Sequence, residues 1–284
     1  MIRHLLLTLV LTLSTAAQAE GKVIRVNEFS DPNAAYAIEM LRLAISHIET
    51  PYQVEISKED FTQARVNEEV RIGGRLDMGW TSFDAETEAT VLPIRIPLFK
   101  GLLGYRILII HKDDQPKFDR VKTLEDLKKL KFGQGRTWAD TRILEANGFT
   151  IIKTNKYPGL FHMVEGGRFD GFPRGVHEPF GELLLRPEME LMIEKKLMIA
   201  YKMPFYLFVS QNNAALARDI EAGLNRAIAD GSFDRTFRNA PSVKDVLQKA
   251  NMKERKVFHI DNPLLSKETP LNRPELWFDP AKDF

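Results

Sequence analysis

The sequence predicts an α/β protein of two lobes joined by a two-stranded hinge. Three observations predict it. Short β-rich runs alternate with helical stretches from Lys22 onward, the signature of a largely parallel sheet. Two strongly apolar strand-like runs, LLGYRILIIH at 102–111 and FYLFVS at 205–210, bracket a complete second α/β block. The chain therefore leaves a first domain near Leu102 and returns near Phe205. Finally, GQGRTWADT at 133–141 and EGGRFDGFPRG at 165–175 read as two faces of one cleft. A single long α/β domain, with both apolar runs in its core, is the alternative the pattern leaves open.

The elements follow in order. Arg3 and His4 precede a nine-residue apolar run, LLLTLVLTL, and Ala17-Gln18-Ala19 is a small-residue cleavage site. This is the pattern of a secretory signal peptide cleaved after Ala19, too short to span a bilayer, which takes about 20 apolar residues. The expected location is periplasmic, and no cysteine offers a lipid attachment point. KVIRVN at 22–27 is a strand. Asp31 and Pro32 are helix-start residues, with a helix expected over about 35–48. Strands are expected at 52–57 and 76–81, with a helix at 61–71 between them. Trp80, Thr81 and Ser82 then stand at the carboxyl end of the third strand, where ligands gather in parallel sheets. The second block reads as helices at 123–129, 137–146, 157–165 and 179–185, with strands at 150–154 and 171–173. The run 214–230 is the clearest helix, with Leu216, Ile220, Leu224, Ala227 and Ile228 on one face. The implied boundaries are 1–19 for the signal peptide, 20–103 for the first lobe and 104–203 for the second. Residues 204–284 return to the first lobe and add a proline-rich tail, expected to wrap over that lobe through Leu264, Leu265, Leu276 and Trp277.

The 284 residues carry a net charge of +1 and no cysteine. The charge gives no argument for nucleic acid or a membrane surface, and stability must come from packed cores rather than disulfides. No nucleophile elbow, nucleotide-type phosphate loop or metal-ligand spacing is present, so no enzyme, cofactor or metal is expected.

Several segments together resemble the bacterial family 3 solute-binding proteins, which deliver polar amino acids and related solutes to membrane transporters. They are YRILIIHKDDQ, VKTLEDLKKLKFGQGRTWADTRIL, MVEGGRFDGF, FYLFVSQNN and IEAGLNRAIADGSF, in the family's order over about residues 22–240. The resemblance implies a Venus-flytrap fold of the periplasmic-binding-protein type II class with two hinge crossovers. It also implies a small-molecule solute, an inner-membrane permease of the ABC type or a membrane receptor as partner, and a monomer. Two positions depart from the family. Glu88 falls near the place of an arginine that grips the α-carboxylate, with Arg95 nearby. Arg174 falls near the place of an aspartate that grips the α-amino group. This basic replacement favours a different or an anionic solute.

The candidate ligand-binding residues are Arg174, Arg136, Thr137, Trp138, Trp80, Thr81 and Glu28. Arg174 offers a planar fork of donors for carboxylate or phosphate. The alternative is a structural pairing with Glu178 or Glu182. Thr137 is placed to cap the following helix, with Asp140 three residues on as in a capping box. Trp80 and Trp138 are candidate stacking walls, or core residues. Glu28, beside Phe29 after the first strand, is a candidate partner for a cationic group.

Overall fold

The computed structural model describes residues 21–28, 33–59 and 61–283. The expected signal peptide, Phe29, Asp31 and Pro32 lie outside them. The first half of the molecule is built from β1 (Lys22–Asn27), α1 (Ala34–Ser46), β2 (Tyr52–Ser57), α2 (Gln63–Arg71), β3 (Met78–Ser82), α3 (Ala85–Glu88) and β4 (Leu92–Pro93). The chain then enters β5 (Tyr105–His111), α4 (Gln115–Phe118), α5 (Leu124–Lys128), β6 (Lys131–Gly135), α6 (Ala139–Ala146), β7 (Thr150–Thr154) and α7 (Tyr157–Glu165). The second block closes with β8 (Phe172–Gly175), α8 (Pro179–Leu184), β9 (Leu191–Ile193) and β10 (Leu197–Ala200). β11 (Phe205–Val209), α9 (Ala214–Ala229), α10 (Ser232–Asn239), α11 (Pro241–Lys249) and β12 (Lys256–His259) complete the fold.

The pairing separates two sheet systems. In the first lobe β1 and β2 are parallel, and β11 lies antiparallel between β3 and β4. In the second lobe β5 runs antiparallel to β8, β9 and β10, while β6 and β7 are parallel. A bridge from Phe132 to Gly171 joins the two pieces. Thr62 caps α2 through its side chain, and Thr123 and Asp126 form a full capping box on α5. α9 lies on α1, and a Cβ at Gly223 would stand 2.2 Å from the Ala44 carbonyl, so glycine permits the close approach.

The two crossings touch where the lobes meet. Ala200 pairs with Tyr105, and the Tyr201 amide donates to the Gly104 carbonyl at 3.0 Å. A Cβ at Gly104 would lie 1.9 Å from the Tyr201 carbonyl oxygen. Gly104→Ala is therefore expected to pry the crossings apart and cost about 1–3 kcal/mol, as overpacking does. Urea denaturation measures this, and a wild-type midpoint would mean that the crossings are not in contact in solution.

The tail departs from expectation. It does not wrap the first lobe alone. β12 adds parallel to β10 at the edge of the second-lobe sheet, because that edge leaves backbone groups for it to satisfy. Asn147, which caps the end of α6, donates its side-chain amide to the Asp261 carbonyl at 2.7 Å. The tail then crosses to the first lobe, where the Ala85 amide donates to the Leu264 carbonyl at 3.0 Å. Leu276 and Trp277 are buried as anchors, and the Phe278 amide donates to the Lys100 carbonyl at 2.7 Å. The tail is thus a third connection between the lobes.

Candidate functional site

A cavity of about 530 Å³ lies between the lobes. The first lobe supplies hydroxyl and amide groups: Asn33, Thr62, Gln63, Asn67, Thr81, Ser82 and Thr87, with Phe61 and Phe205 as apolar wall. Asn33 stands just before α1, Thr62, Gln63 and Asn67 at or on α2, Thr81 and Ser82 at the end of β3, Thr87 on α3 and Phe205 at the start of β11. The second lobe supplies Arg106 from β5, Thr137 and Trp138 before α6, Asp140 and Arg142 on α6, Tyr157 on α7, Arg174 on β8 and Glu178 before α8.

Of the residues named from sequence, Thr81, Thr137, Trp138 and Arg174 line this cavity. Trp80 does not. It is wholly buried in the core, opposite Leu207 of β11. The reason is that β3 is covered on both faces, so strand position alone does not send a side chain to the cleft. Arg136 and Glu28 are exposed and outside the cavity wall. The capping expectation at Thr137 also changes. α6 begins at Ala139 with Trp138 in the N-cap position and no side-chain cap. Asp140 instead accepts from the Arg106 guanidinium and the Tyr201 hydroxyl.

Arg174 is both cavity wall and structural partner. Its Nε donates to Glu182 at 2.9 Å and its Nη2 reaches Glu182 at 2.6 Å and Glu178 at 2.9 Å. Its guanidinium is packed among aromatic rings, 5.1 Å from Trp138, 5.6 Å from Tyr157 and 5.0 Å from Phe172. The Tyr157 hydroxyl donates to Glu182 at 2.6 Å. Burial, followed by the Glu182 charge, pushes the Tyr157 phenol well above its ordinary pKa, so it stays a donor. Arg106 is equally committed: beyond Asp140, its Nε donates to Tyr201 at 3.0 Å and its Nη1 lies 3.5 Å from Glu178. Burial opposes its charge, and the surrounding carboxylates and Tyr201 outweigh burial.

Two contacts cross between lobes beside the cavity. Arg142 of α6 pairs with Asp84 and Glu86 at the start of α3. Asp84 also caps α3 by accepting from the Thr87 amide at 2.8 Å. Asn33 stands 3.1 Å from His177 Nε2 and 3.4 Å from Glu178. His177 stacks on Phe99 with ring centroids 4.1 Å apart.

Sequence reasoning missed Arg106, Asp140 as an ion partner, Arg142 and Asn33. Arg106 carried a signal, a lone charge as the second residue of the apolar strand YRILIIH. Asn33 carried none. Chemically the site offers donors, acceptors and aromatic faces. Among the described residues no cluster of metal-ligating side chains occurs.

No protein-family model matches the chain, and no curated protein matches it in sequence. Solved structures match it in fold. An ancestral arginine-binding protein bound to arginine aligns at TM-score 0.56 and 19% identity, over 76% of this chain and 96% of that one. A Salmonella typhimurium periplasmic binding protein of high arginine specificity aligns at TM-score 0.55 and 15% identity, over 76% and 97%. A histidine kinase sensor domain similar to periplasmic binding proteins aligns at TM-score 0.55 and 14% identity, over 76% and 93%. The chain has the two-lobed α/β fold of the type II periplasmic binding proteins.

Proposed function

We propose that this protein is a divergent family 3 solute-binding protein that takes a small polar solute between its lobes and delivers it to an ABC-type inner-membrane transporter. The observation that carries the reading is the interlobe cavity, lined from both lobes by hydrogen-bonding groups and bridged by Arg142, Asp84 and Glu86. Such a site binds a solute when the lobes close on it. The carboxylates here are held in ion pairs, which suits recognition rather than proton transfer. Export rests on the apolar run and small-residue site of residues 1–19.

The solute's charge follows from the balance at the site. An anion recognised by Arg174 is the expectation from sequence. In the cavity, Arg106, Arg142 and Arg174 all have carboxylate partners among Asp84, Glu86, Asp140, Glu178 and Glu182. A simple anion must displace one of these carboxylates, which leaves a buried charge unpaired and is costly. A zwitterion brings both signs and meets both. This favours an amino-acid-like zwitterion over an anion. The likeness to a histidine kinase sensor domain supports a second reading, in which the closed form is presented to a membrane receptor.

A thermal-shift screen of the protein from Glu20 onward tests the reading against zwitterions, organic acids, phosphorylated compounds, polyamines and sugars. A true ligand at 100 times its Kd adds about 2.7 kcal/mol of stability. Stabilisation by a zwitterion, with a more compact scattering profile, is the expected result. Stabilisation by dianions alone would restore the anion. Silence across every class would sink the solute-binding role.

A further inference from the structure

We propose that a second cavity, at the back of the hinge, is a binding site for a small carboxylate bearing an aromatic or planar apolar body. The cavity holds about 190 Å³, room for about six waters at roughly 30 Å³ each and so for a single-ring acid. Four pieces of chain build it: the turn at Lys100 and Gly101, Tyr105 opening β5, Ala200 to Lys202 at the return crossing, and the tail through His259 and Trp277. It is separate from the cleft and stands independently of what the cleft binds.

The chemistry of the wall selects the ligand. Lys100, Lys202 and His259 line it, and no carboxylate does. The Lys100 ammonium is already engaged by Asp234 at 2.7 Å. Among the described residues no ion pair engages Lys202, whose ammonium lies 4.9 Å from the centre of the Trp277 ring. Desolvation there lowers the Lys202 pKa, against a weaker pull from Asp279. A bound carboxylate would supply an ion partner for the Lys202 ammonium beside the indole, as a charge-assisted hydrogen bond. Trp277 and Tyr105 supply ring surface for a planar body.

The backbone is held in place for this wall. Lys100 sits in the left-handed region at φ 48°, an uncommon conformation for a non-glycine residue, and Gly101 follows at φ 76°. A Cβ at Gly101 would lie 2.6 Å from the Trp277 ring, so glycine lets the indole close the cavity. Position adds consequence. Tyr201 lines this cavity, while its hydroxyl donates to Asp140 in the cleft cluster.

The test follows the tryptophan indole signals of the purified protein by NMR, assigned with Trp277→Phe, during titration with benzoate and separately with inorganic phosphate. Benzoate should shift the Trp277 signal saturably. Lys202→Met and His259→Gln, both at exposed positions and so compatible with folding, should each weaken the apparent Kd at least fivefold. The proposal is overturned by no saturable shift at Trp277, by a shift that Lys202→Met leaves unchanged, or by an equal response to phosphate, which lacks the ring. A benzoate response at Trp138 alone would place the probe in the cleft and also overturn it.

Discussion

Arg174→Ala is expected to lower the unfolding free energy by about 3–5 kcal/mol, the cost of stripping one partner from a buried ion pair. Arg174 is 4% exposed, with Glu178 at 6% and Glu182 at 3%. Without the guanidinium, Glu178 keeps the Gly175 amide at 2.6 Å and Arg106 at 3.5 Å, but Glu182 keeps only the Tyr157 hydroxyl and loses its one cation. The rings of Trp138, Tyr157 and Phe172 also lose the flat group packed among them. Arg174→Lys should recover only part of the loss, because a point charge cannot fork to two carboxylates. Arg174→Met combined with Glu182→Gln should recover more, since it removes a negative charge along with the positive one. Urea denaturation of the three variants decides the matter. A wild-type midpoint for Arg174→Ala would mean that the buried cluster does not form in solution. The consequence for function is practical: weak ligand binding by the alanine variant alone would not identify Arg174 as an anchor, because the site would no longer be intact.

What the sequence made legible follows from what periodicity can report. β1 and β2 agree with the reading residue for residue, and α9 to within one residue, because each has a strong local pattern or sharp flanking signals. Trp80 shows the limit. Met78, Gly79 and Trp80 are all buried, so alternation carries no information about which face meets the cleft. Asp140 shows another. Its spacing from Thr137 fits a capping box, yet a buried arginine 34 residues earlier outcompetes the helix amides for its carboxylate. The strand at 256–259 was hidden because it depends on an open sheet edge far away in sequence. Arg174 carried both of its meanings in the sequence, anchor or partner of Glu178 and Glu182. The geometry favours the second without removing the residue from the cavity wall.

Acid should destabilise this protein through His177, starting near neutrality. The ring is 3% exposed and stacked on Phe99, and its Nε2 meets Asn33 at the junction of the lobes. Arg106 approaches from β5 and Arg174 from β8, and Glu182 of α8 is the opposing charge. Burial first, and then the two guanidiniums, lowers the His177 pKa to about 3. The unfolded chain therefore binds this proton near pH 6.5 while the folded chain refuses it. The associated stability is complete above pH 6.5 and declines as pH falls from there toward 3, at about 1.4 kcal/mol per pH unit for one proton. His47 works in the opposite sense: its Leu43 carbonyl contact and Asp230 raise its pKa, giving stability that is present in acid and lost as pH rises. The two are separated by comparing wild type with His177→Gln, which keeps a polar group toward Asn33 and cannot charge. Between pH 6.5 and 4.5 the variant's urea midpoint should fall less steeply than that of wild type. Parallel curves would mean that His177 is solvated in the native state, with the lobes resting apart where the ring now lies buried.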